Sequence, residues 1–268
     1  MPELPEVETV VRGLRPDVVG RTVTGAWTDW PRVLDGTPLA EVTAALKGRT
    51  VAGLVRRGKY IGMDCDGCYL VIHLRMTGRL YMSERPEGDD RWVHFSLALD
   101  DGRHMAFSDS RKFGRVTLCS SLDFLEEKLG PEPLTLSDAD FANIIQGSSR
   151  AVKTFILDQS KIAGVGNIYA DESLLRAGIH PLTPVNKLSK ARTRKLGAEI
   201  RRVLQDGIDH EGASISWYRK PDGNKGESQQ HFLVYGRTDL PCKLCGTAVQ
   251  RTVVGQRGTH FCPKCQRL

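Results

Sequence analysis

Four of the seven cysteines lie within the last 27 residues of this 268-residue chain, and they constrain its folding more than any other feature. They form two Cys-x-x-Cys pairs separated by 16 residues, Cys242 with Cys245 and Cys262 with Cys265. Each pair can bring two thiolates to one side of a tight knuckle, and two such knuckles complete a tetrahedral Zn²⁺ site. Because four sulfur ligands leave no open position, we predict a ribbon that holds one structural zinc ion.

A third Cys-x-x-Cys pair, Cys65 with Cys68, has a different explanation. The two residues between these cysteines are Asp66 and Gly67, and both flanking segments are strand-like. Asp-Gly between two strands is a strong signal for a two-residue hairpin turn. We therefore expect this pair to flank a turn and not to bind metal.

The cysteine-rich ribbon is also strongly basic. Residues 242–268 contain no Asp or Glu, and the whole chain carries a formal net charge of +6. The basic residues of this segment are Lys243, Arg251, Arg257, Lys264 and Arg267. A basic surface favours a polyanionic partner, because release of counterions from phosphates drives binding. No segment approaches the ~18 apolar residues that span a bilayer, and the acidic N-terminus is unlike a signal peptide, so we expect a cytoplasmic protein.

The rest of the chain divides near Cys119 into a strand-rich part and a helical part. Apolar residues at helical spacing predict a helix from Pro5 to about Val19. Strand-like segments follow, among them 69–74 and 92–99, and the second turns at Asp101-Gly102 into a partner strand. Several short strands with turn signals predict a β-sandwich or barrel.

After Cys119 the pattern is helical. Short helices are predicted over 122–129 and 138–145, with a break at 130–133 between them. Two more helices flank Gly164-Val165-Gly166-Asn167, and a long helix follows over 189–210. Its basic residues are interpreted as a solvated face. Residues 214–230 form a polar stretch without periodicity, which is typical of a functional or disordered loop.

The N-terminus carries an unusual combination of an imino acid and three carboxylates. Glu8 is explained by interaction with the dipole of the first helix. Removal of Met1 would expose Pro2 as a secondary amine, and an α-amino group of pKa ~7.7–8.0 is partly unprotonated at neutral pH. Such an amine can attack a sugar C1′ and form an iminium ion, from which the 3′ phosphate can be eliminated. A neighbouring carboxylate such as Glu3 can protonate the ribose oxygen as the ring opens.

Motifs in order along the whole chain resemble those of the formamidopyrimidine-DNA glycosylase family. They are residues 1–9, 57–60, 73–78, 109–114, 163–172 and the terminal ribbon. The resemblance implies an α+β multidomain fold, in which residues 1–120 form a β-sandwich with a catalytic N-terminal helix. Residues 121–134 would be a linker, residues 135–235 a helical domain with a helix–two-turn–helix motif and a base-recognition loop, and residues 236–268 the zinc ribbon.

The resemblance also implies the catalytic residues. Pro2 would be the Schiff-base nucleophile and Glu3 the acid/base, with Glu6 as a supporting carboxylate. Lys59 would assist β-elimination and contact phosphate. Arg257 would bind the phosphates beside the lesion and take part in δ-elimination.

Further residues match DNA-contacting positions of the family. Met76, Arg111 and Phe113 would fill the gap left by a flipped-out base, with an apolar wedge, an arginine for the orphaned base edge and an aromatic ring for stacking. Asn167, at a Gly-x-Gly turn, can cap the next helix and help to seat a phosphate. The phosphate-contacting positions also include His73, His94, Arg150 and Lys153.

The activity implied is that of a monomeric bacterial repair enzyme associated with the nucleoid. It would excise oxidised purines (8-oxoguanine and formamidopyrimidines) from double-stranded DNA and then cut the abasic site by β,δ-elimination. Two alternatives are an endonuclease VIII-like glycosylase for oxidised pyrimidines and a non-catalytic sensor of abasic sites or nicks. Leu4 and the following Val-Glu-Thr-Val favour the purine branch, since the sister family usually begins Pro-Glu-Gly-Pro. The loop at 214–230 departs most from the family pattern.

Overall fold

A computed structural model describes residues 1–268, which form two compact units. Unit one comprises residues 1–127 and 210–229, and unit two comprises residues 128–209 and 230–268. The polar loop therefore groups with the N-terminal part of the chain, whereas the division by sequence assigns it to residues 135–235. No helix has the length and apolar composition needed to cross a membrane.

Unit one contains the first eight strands and the first two helices. Its helices are α1 (Leu4–Val18) and α2 (Leu39–Leu46), and a third helix, α3 (Asp123–Lys128), follows the last strand. Its strands are β1 (Val23–Trp27), β2 (Gly53–Arg57), β3 (Tyr60–Asp64), β4 (Tyr69–His73), β5 (Arg79–Ser83), β6 (Val93–Leu99), β7 (His104–Ser108) and β8 (Arg115–Cys119). Helix α2 is not anticipated by the sequence analysis, although its Leu, Ala and Glu residues are good helix formers.

The eight strands form two four-stranded antiparallel sheets, as the prediction of a β-sandwich requires. Their strand orders are β1-β6-β7-β5 and β2-β3-β4-β8. The predicted hairpin turn lies between β6 and β7, where the N–H of Gly102 donates to the carbonyl of Leu99. The predicted turn at Asp66 and Gly67 joins β3 to β4, and both residues have positive φ (55° and 80°). Cys65 and Cys68 therefore flank a hairpin turn, as expected.

Helix α1 packs on β2, β3 and β5 through one apolar face. That face is formed by residues at helical spacing, which are Val7, Val10, Val11, Leu14 and Val18. Each is almost fully buried, and burial of such a side chain contributes roughly 1.5–3 kcal/mol. The packing of this face fixes the first turn of the helix, where the predicted catalytic residues begin.

Unit two contains the remaining helices and a β-hairpin. The helices are α4 (Asp138–Ile145), α5 (Val152–Ile156), α6 (Asn167–Ala177) and α7 (Lys190–Asp209), and the hairpin strands are β9 (Gln250–Val254) and β10 (Arg257–Phe261). Short 3-10 turns occur at Val185–Lys187 in unit two and at Pro31–Leu34 in unit one, and a third spans Ser228–His231. Helix α6 packs against both α7 and β10.

The hairpin is tied to α6 by a buried ion pair. The Lys153 ammonium lies 2.6 Å from the Asp171 carboxylate, and both side chains are 0 % exposed. The same ammonium donates to the Thr259 hydroxyl at 2.8 Å and to the Gly258 carbonyl at 3.2 Å. Asp171 also accepts the backbone N–H of His260 at 2.9 Å. The pair thus satisfies polar groups on α5, α6 and β10 together.

A second buried carboxylate of α6 holds the chain that enters the ribbon. Glu172 accepts the backbone N–H groups of Leu233, Val234 and Tyr235 at 2.9–3.1 Å. Burial raises the pKa of Glu172, although the three N–H donors act in the opposite direction. Adjacent acidic residues of one helix therefore hold the chain that enters the ribbon and the second strand of its hairpin.

We expect Lys153→Met to lower the free energy of unfolding by about 3–5 kcal/mol, because it leaves the Asp171 carboxylate buried without its counter-ion. The matched control is Lys220→Met, since Lys220 forms a 2.8 Å ion pair with an exposed partner, Glu211. That pair should contribute only about 0–1 kcal/mol. Urea denaturation measures both variants. Equal small losses would contradict the assigned role of the buried pair.

Candidate active site and nucleic-acid interface

The predicted catalytic residues lie at the first turn of α1, where Glu3 is the N-cap residue. Glu3 and Glu6 form a capping box, in which each side chain accepts the backbone N–H of the other residue. The N–H of Glu3 donates to the Glu6 carboxylate at 2.7 Å. Glu3 is only 3 % exposed, and Pro2 immediately before it is also buried. A buried and fixed carboxylate therefore belongs to the residue that directly follows Pro2 in the chain.

Glu6 also binds the start of the polar loop. Its second oxygen accepts the N–H of Ala213 at 2.8 Å. Gly212 has a φ of +79°, and a Cβ atom there would lie 2.9 Å from Cγ of Glu6, so only glycine fits. Burial and the nearby Glu6 raise the pKa of Tyr218 above its ordinary value. Glu6 thus joins the catalytic helix to the loop that is expected to lie over the damaged base.

Glu8 has a structural role, but through ion pairs and not through the helix dipole, because it lies beyond the first turn of α1. It forms ion pairs of 2.8 Å with Arg12, one turn later, and with Arg56 on β2. Burial acts to raise the pKa of Glu8, but the hydrogen bonds from Arg56 and Arg12 outweigh it and the pKa is lowered. The carboxylate of Glu8 is therefore committed to these two cations.

Lys59 lies in the two-residue turn that joins β2 to β3, not within a strand. Gly58 supplies a φ of +57° at the first turn position, where a type II′ turn requires glycine. Lys59 is largely buried. The turn therefore fixes the backbone that carries Lys59, and burial restricts the movement of its side chain.

Two histidines of unit one present a defined nitrogen atom. Nδ1 of His73 accepts the backbone N–H of Arg75 at 3.0 Å, which leaves the proton on Nε2. Nδ1 of His94 lies 2.8 Å from the Asp29 carboxylate, and its buried Nε2 has no hydrogen-bond partner. The arrangement of His73 suits an imidazole that donates through Nε2, whereas Nε2 of His94 is buried and does not reach a phosphate in this arrangement.

The predicted gap-filling residues are brought together on two neighbouring loops. Met76 and Phe113 are 43 % and 47 % exposed, a high value for large apolar side chains. The guanidinium of Arg111 donates to Sδ of Met76 at 3.1 Å and lies 4.7 Å from the Phe113 ring centroid. The three side chains therefore form one exposed cluster.

Three predicted phosphate contacts of unit two have different surroundings. Arg150 is exposed and pairs with Asp158 at 2.8 Å. The prediction that Asn167 caps α6 is wrong, because Gly166 is the N-cap residue and the Asn167 amide donates to the Gly258 carbonyl at 2.9 Å. Lys153 has no exposed surface. It cannot reach a phosphate in this arrangement, so the structure gives it the role of holding the hairpin.

Arg257 is exposed at the first position of β10. The two residues before it, Gly255 and Gln256, both have positive φ (54° and 62°), the pattern of a type I′ hairpin turn. Its neighbour Gly258 accepts hydrogen bonds from both Lys153 and Asn167 through its carbonyl. The backbone that carries Arg257 is therefore fixed on the α6 side while its side chain is left accessible.

The four ribbon cysteines fit a tetrahedral zinc site. Their sulfur atoms all lie within 4.8 Å of one another, and Zn–S bonds of about 2.3 Å place sulfurs about 3.8 Å apart. Hydrogen bonds from Thr247 lower the pKa of Cys245 to about 6, whereas burial and the neighbouring thiols raise that of Cys265. Four such groups can be ionised together only around a cation. Cys65, by contrast, has its pKa raised to about 12 by burial and stays a thiol.

We expect one zinc ion per chain and its loss in Cys245→Ser, because three thiolates hold zinc less well than four. Cys242 and Cys262 lie in an apolar cluster with Leu175, Val234 and Val249, so loss of the ion should also loosen the ribbon. Elemental analysis and limited proteolysis measure these effects. Cys68→Ser is the matched control and should keep full zinc content. Equal zinc loss in both variants would contradict the assignment.

Several residues that build the site were not singled out from the sequence. Gly212 and Tyr218 surround Glu6, and Thr77 and Asp109 connect the two loops of the gap-filling cluster. Asp109 offered one signal, since Asp commonly binds a backbone N–H two residues later in a turn. The contacts of Tyr218 are long-range and had no local signal.

Comparison with known proteins places three family matches along the chain. The formamidopyrimidine-DNA glycosylase N-terminal domain matches residues 1–116, and the formamidopyrimidine-DNA glycosylase H2TH domain matches residues 129–219. The zinc finger found in FPG and IleRS matches residues 239–268. Together the matches cover most of the chain, and they confirm the predicted order of sandwich, helical domain and four-cysteine ribbon.

Similar proteins match over their full length. The formamidopyrimidine-DNA glycosylase of Chloroflexus aggregans is 47 % identical, with 100 % of this chain and 99 % of the relative covered. Lactococcus lactis Fpg bound to DNA with an abasic site is 36 % identical, with a TM-score of 0.92 and coverage of 99 % and 100 %. Its complex with Fapy-dG DNA gives 35 % identity, a TM-score of 0.91 and the same coverage. Because the family models match most of the chain and these relatives align with it over their full length, the chain belongs to the formamidopyrimidine-DNA glycosylase family.

Proposed function

We propose that this protein is a bifunctional base-excision-repair enzyme that removes oxidised purines from double-stranded DNA and then cleaves the abasic site. The observation that carries the proposal is the buried Pro2-Glu3 pair at the start of α1, held by the Glu3–Glu6 capping box. A nucleophile and a proton donor in adjacent positions are what glycosylase and lyase chemistry on one sugar carbon requires.

The first step uses the amine of Pro2. With Met1 attached, its nitrogen is an amide without nucleophilic character, and Met1 is exposed and open to removal. The freed secondary amine attacks C1′, the bond to the base breaks, and the ribose ring opens to an iminium ion. Glu3 supplies a proton to the ring oxygen. Glu6 keeps Glu3 in place and acts in support.

The second step cuts the backbone. The iminium withdraws electrons, so a proton leaves C2′ and the 3′ phosphate departs by β-elimination. Lys59 assists this step and contacts a phosphate. Arg257 binds the phosphates beside the lesion and promotes the following δ-elimination, which releases the 5′ phosphate. A cation beside each leaving group stabilises its developing charge.

The exposed Met76, Arg111 and Phe113 cluster supports a role in the DNA gap. An apolar wedge and an aromatic ring replace the lost stacking, and arginine donates to the orphaned base. His73, Arg150 and Asn167 contact phosphates, and Lys153 acts indirectly through the hairpin. We also propose that the enzyme acts as a monomer in the bacterial cytoplasm, associated with the nucleoid.

The first test is borohydride trapping on a duplex with one 8-oxoguanine opposite cytosine, together with the intact mass of the protein. A covalent complex from protein lacking Met1 is the expected result. A parallel duplex with thymine glycol distinguishes the pyrimidine-directed alternative. Protein that lacks Met1, binds abasic DNA and yet forms no adduct would instead be a non-catalytic sensor.

Pro2→Gly should slow the chemistry while salt-dependent binding to abasic DNA stays nearly intact, because the phosphate contacts remain. Glu3→Gln should impair base excision more than imine formation at a pre-formed abasic site. Single-turnover kinetics and a binding titration at two salt concentrations measure these effects. Equal loss of binding and chemistry in Pro2→Gly would contradict the nucleophile assignment.

Arg257→Ala should shift the products at an abasic site from β,δ-elimination towards β-elimination, because the second leaving phosphate loses its cation. Electrophoresis of the cleaved strand separates the two ends. Arg251→Ala is the control, since Arg251 lies on the same hairpin with an exposed side chain. An unchanged ratio of products in Arg257→Ala would contradict the role given to this residue.

A further inference from the structure

The gap-filling cluster is carried by two loops that are distant in sequence. We call residues 74–78 the Met76 loop and residues 109–114 the Phe113 loop. The first follows β4 and the second joins β7 to β8. Each contains one non-glycine residue in the left-handed region, Arg75 at φ +54° and Lys112 at φ +58°. Such conformations persist only where the surroundings enforce them.

A single buried carboxylate, that of Asp109, enforces the Phe113 loop. Asp109 is 1 % exposed. One of its oxygens accepts the N–H of Gly114 at 2.6 Å, and the other accepts the N–H of Arg111 at 3.2 Å. The carbonyl of Asp109 accepts the N–H of Lys112 at 3.1 Å. The loop is therefore closed from its first residue to its last around this side chain.

The same carboxylate reaches the other loop. The hydroxyl of Thr77, the residue after Met76, donates to the oxygen of Asp109 that also binds Arg111. Thr77 is itself buried. The Met76 loop is closed by the N–H of Gly78, which donates to the carbonyl of Leu74 at 2.9 Å. Thr77 thus makes the buried connection between the two loops, which also meet at the surface where Arg111 contacts Met76.

From this geometry we infer that Asp109 is a positioning residue for lesion recognition. Through Thr77, it fixes the position of the two loops relative to each other. Met76, Arg111 and Phe113 then enter the DNA gap as a preformed unit. A preformed cluster loses little side-chain freedom when it replaces the flipped base. The inference rests on the gap-filling role given to these three residues in the proposed function.

The alternative is that Asp109 only stabilises the sandwich. The two roles differ in what an isosteric change affects. Asp109→Asn keeps the size of the side chain but replaces one acceptor oxygen with a donor, so the Gly114, Arg111 and Thr77 donors can no longer all be bound. Thr77→Val removes only the buried hydrogen bond between the loops, and Thr77→Ser keeps a hydroxyl that can form it.

The decisive measurement uses a duplex with an uncleavable abasic analogue and 2-aminopurine as the orphaned base. Fluorescence reports how the inserted side chains stack, without any catalysis. Asp109→Asn and Thr77→Val should lose most of the change seen with the unaltered protein, and Thr77→Ser should keep it. On lesion duplexes the same two variants should lose about tenfold in discrimination between opposite bases, the equivalent of one contact to a base edge.

Asp101→Asn is the matched control. Asp101 also accepts the N–H of the residue two positions later, Arg103, at 3.0 Å, but it lies in the β6–β7 turn. The Asp101→Asn variant should show the same fluorescence change as the unaltered protein. A loss of that change as large as in Asp109→Asn would overturn the inference. If Asp109→Asn fails to fold by circular dichroism, the comparison of Thr77→Val with Thr77→Ser decides.

Direct variants separate this inference from the proposed function. If Met76→Ala, Arg111→Ala and Phe113→Ala leave fluorescence and discrimination unchanged, the gap-filling role itself is wrong. If these three variants lose the signal while Asp109→Asn and Thr77→Val retain it, the gap-filling role stands and the positioning role of Asp109 is overturned.

Discussion

The reciprocal hydrogen bonds between Glu3 and Glu6 at the start of α1 are the interaction on which the site depends most. A helix leaves its first N–H groups without partners inside the helix, and here the two catalytic-site carboxylates satisfy them. Their burial would be costly without such bonds. The apolar face of α1 is packed on the sandwich, which fixes the helix. The capping box then fixes Pro2 and Glu3 relative to the helix.

The same device, a buried carboxylate that accepts backbone N–H groups, recurs at three other places in the chain. Asp109 binds the N–H groups of the Phe113 loop, Glu172 those of the chain entering the ribbon, and Asp171 that of His260. Hydrogen bonds to charged groups contribute roughly 1.5–3 kcal/mol each, so one carboxylate can hold a segment that has little apolar packing of its own. Loops that expose Met76, Phe113 or Arg257 bury few apolar side chains of their own. Hydrogen bonds to buried carboxylates hold the backbone of these loops instead.

Sequence reasoning recovered the parts of this fold that have a local period or spacing. The α1 helix, the β6–β7 hairpin, helix α4 and the paired cysteines follow from residues close together in the chain. The family motifs supplied Lys59, Met76 and Phe113, which composition alone would have left as ordinary structural residues. The residues that sequence reasoning missed owe their roles to contacts between distant parts of the chain. Lys153 looked like a surface cation because the residues that enclose it, Asp171 and Thr259, lie 18 and 106 positions later. Tyr218 and Thr77 were missed for the same reason.

The placement of acidic residues also bears on how the functional elements suit a polyanion. Five of the 32 acidic residues are buried, and they are Glu3, Glu6, Asp109, Asp171 and Glu172. A carboxylate that accepts backbone N–H groups in the interior has its charge balanced there by oriented dipoles, as Glu6 and Glu172 do, or by a buried cation, as Asp171 does. In the proposed function, exposed cations such as Arg111 and Arg257 meet the phosphates and bases, and residues 242–268 contain no Asp or Glu that would compete for them. Burying the carboxylates of the functional elements therefore rigidifies these elements and keeps those negative charges away from the exposed surface, which are two requirements of one DNA-binding site.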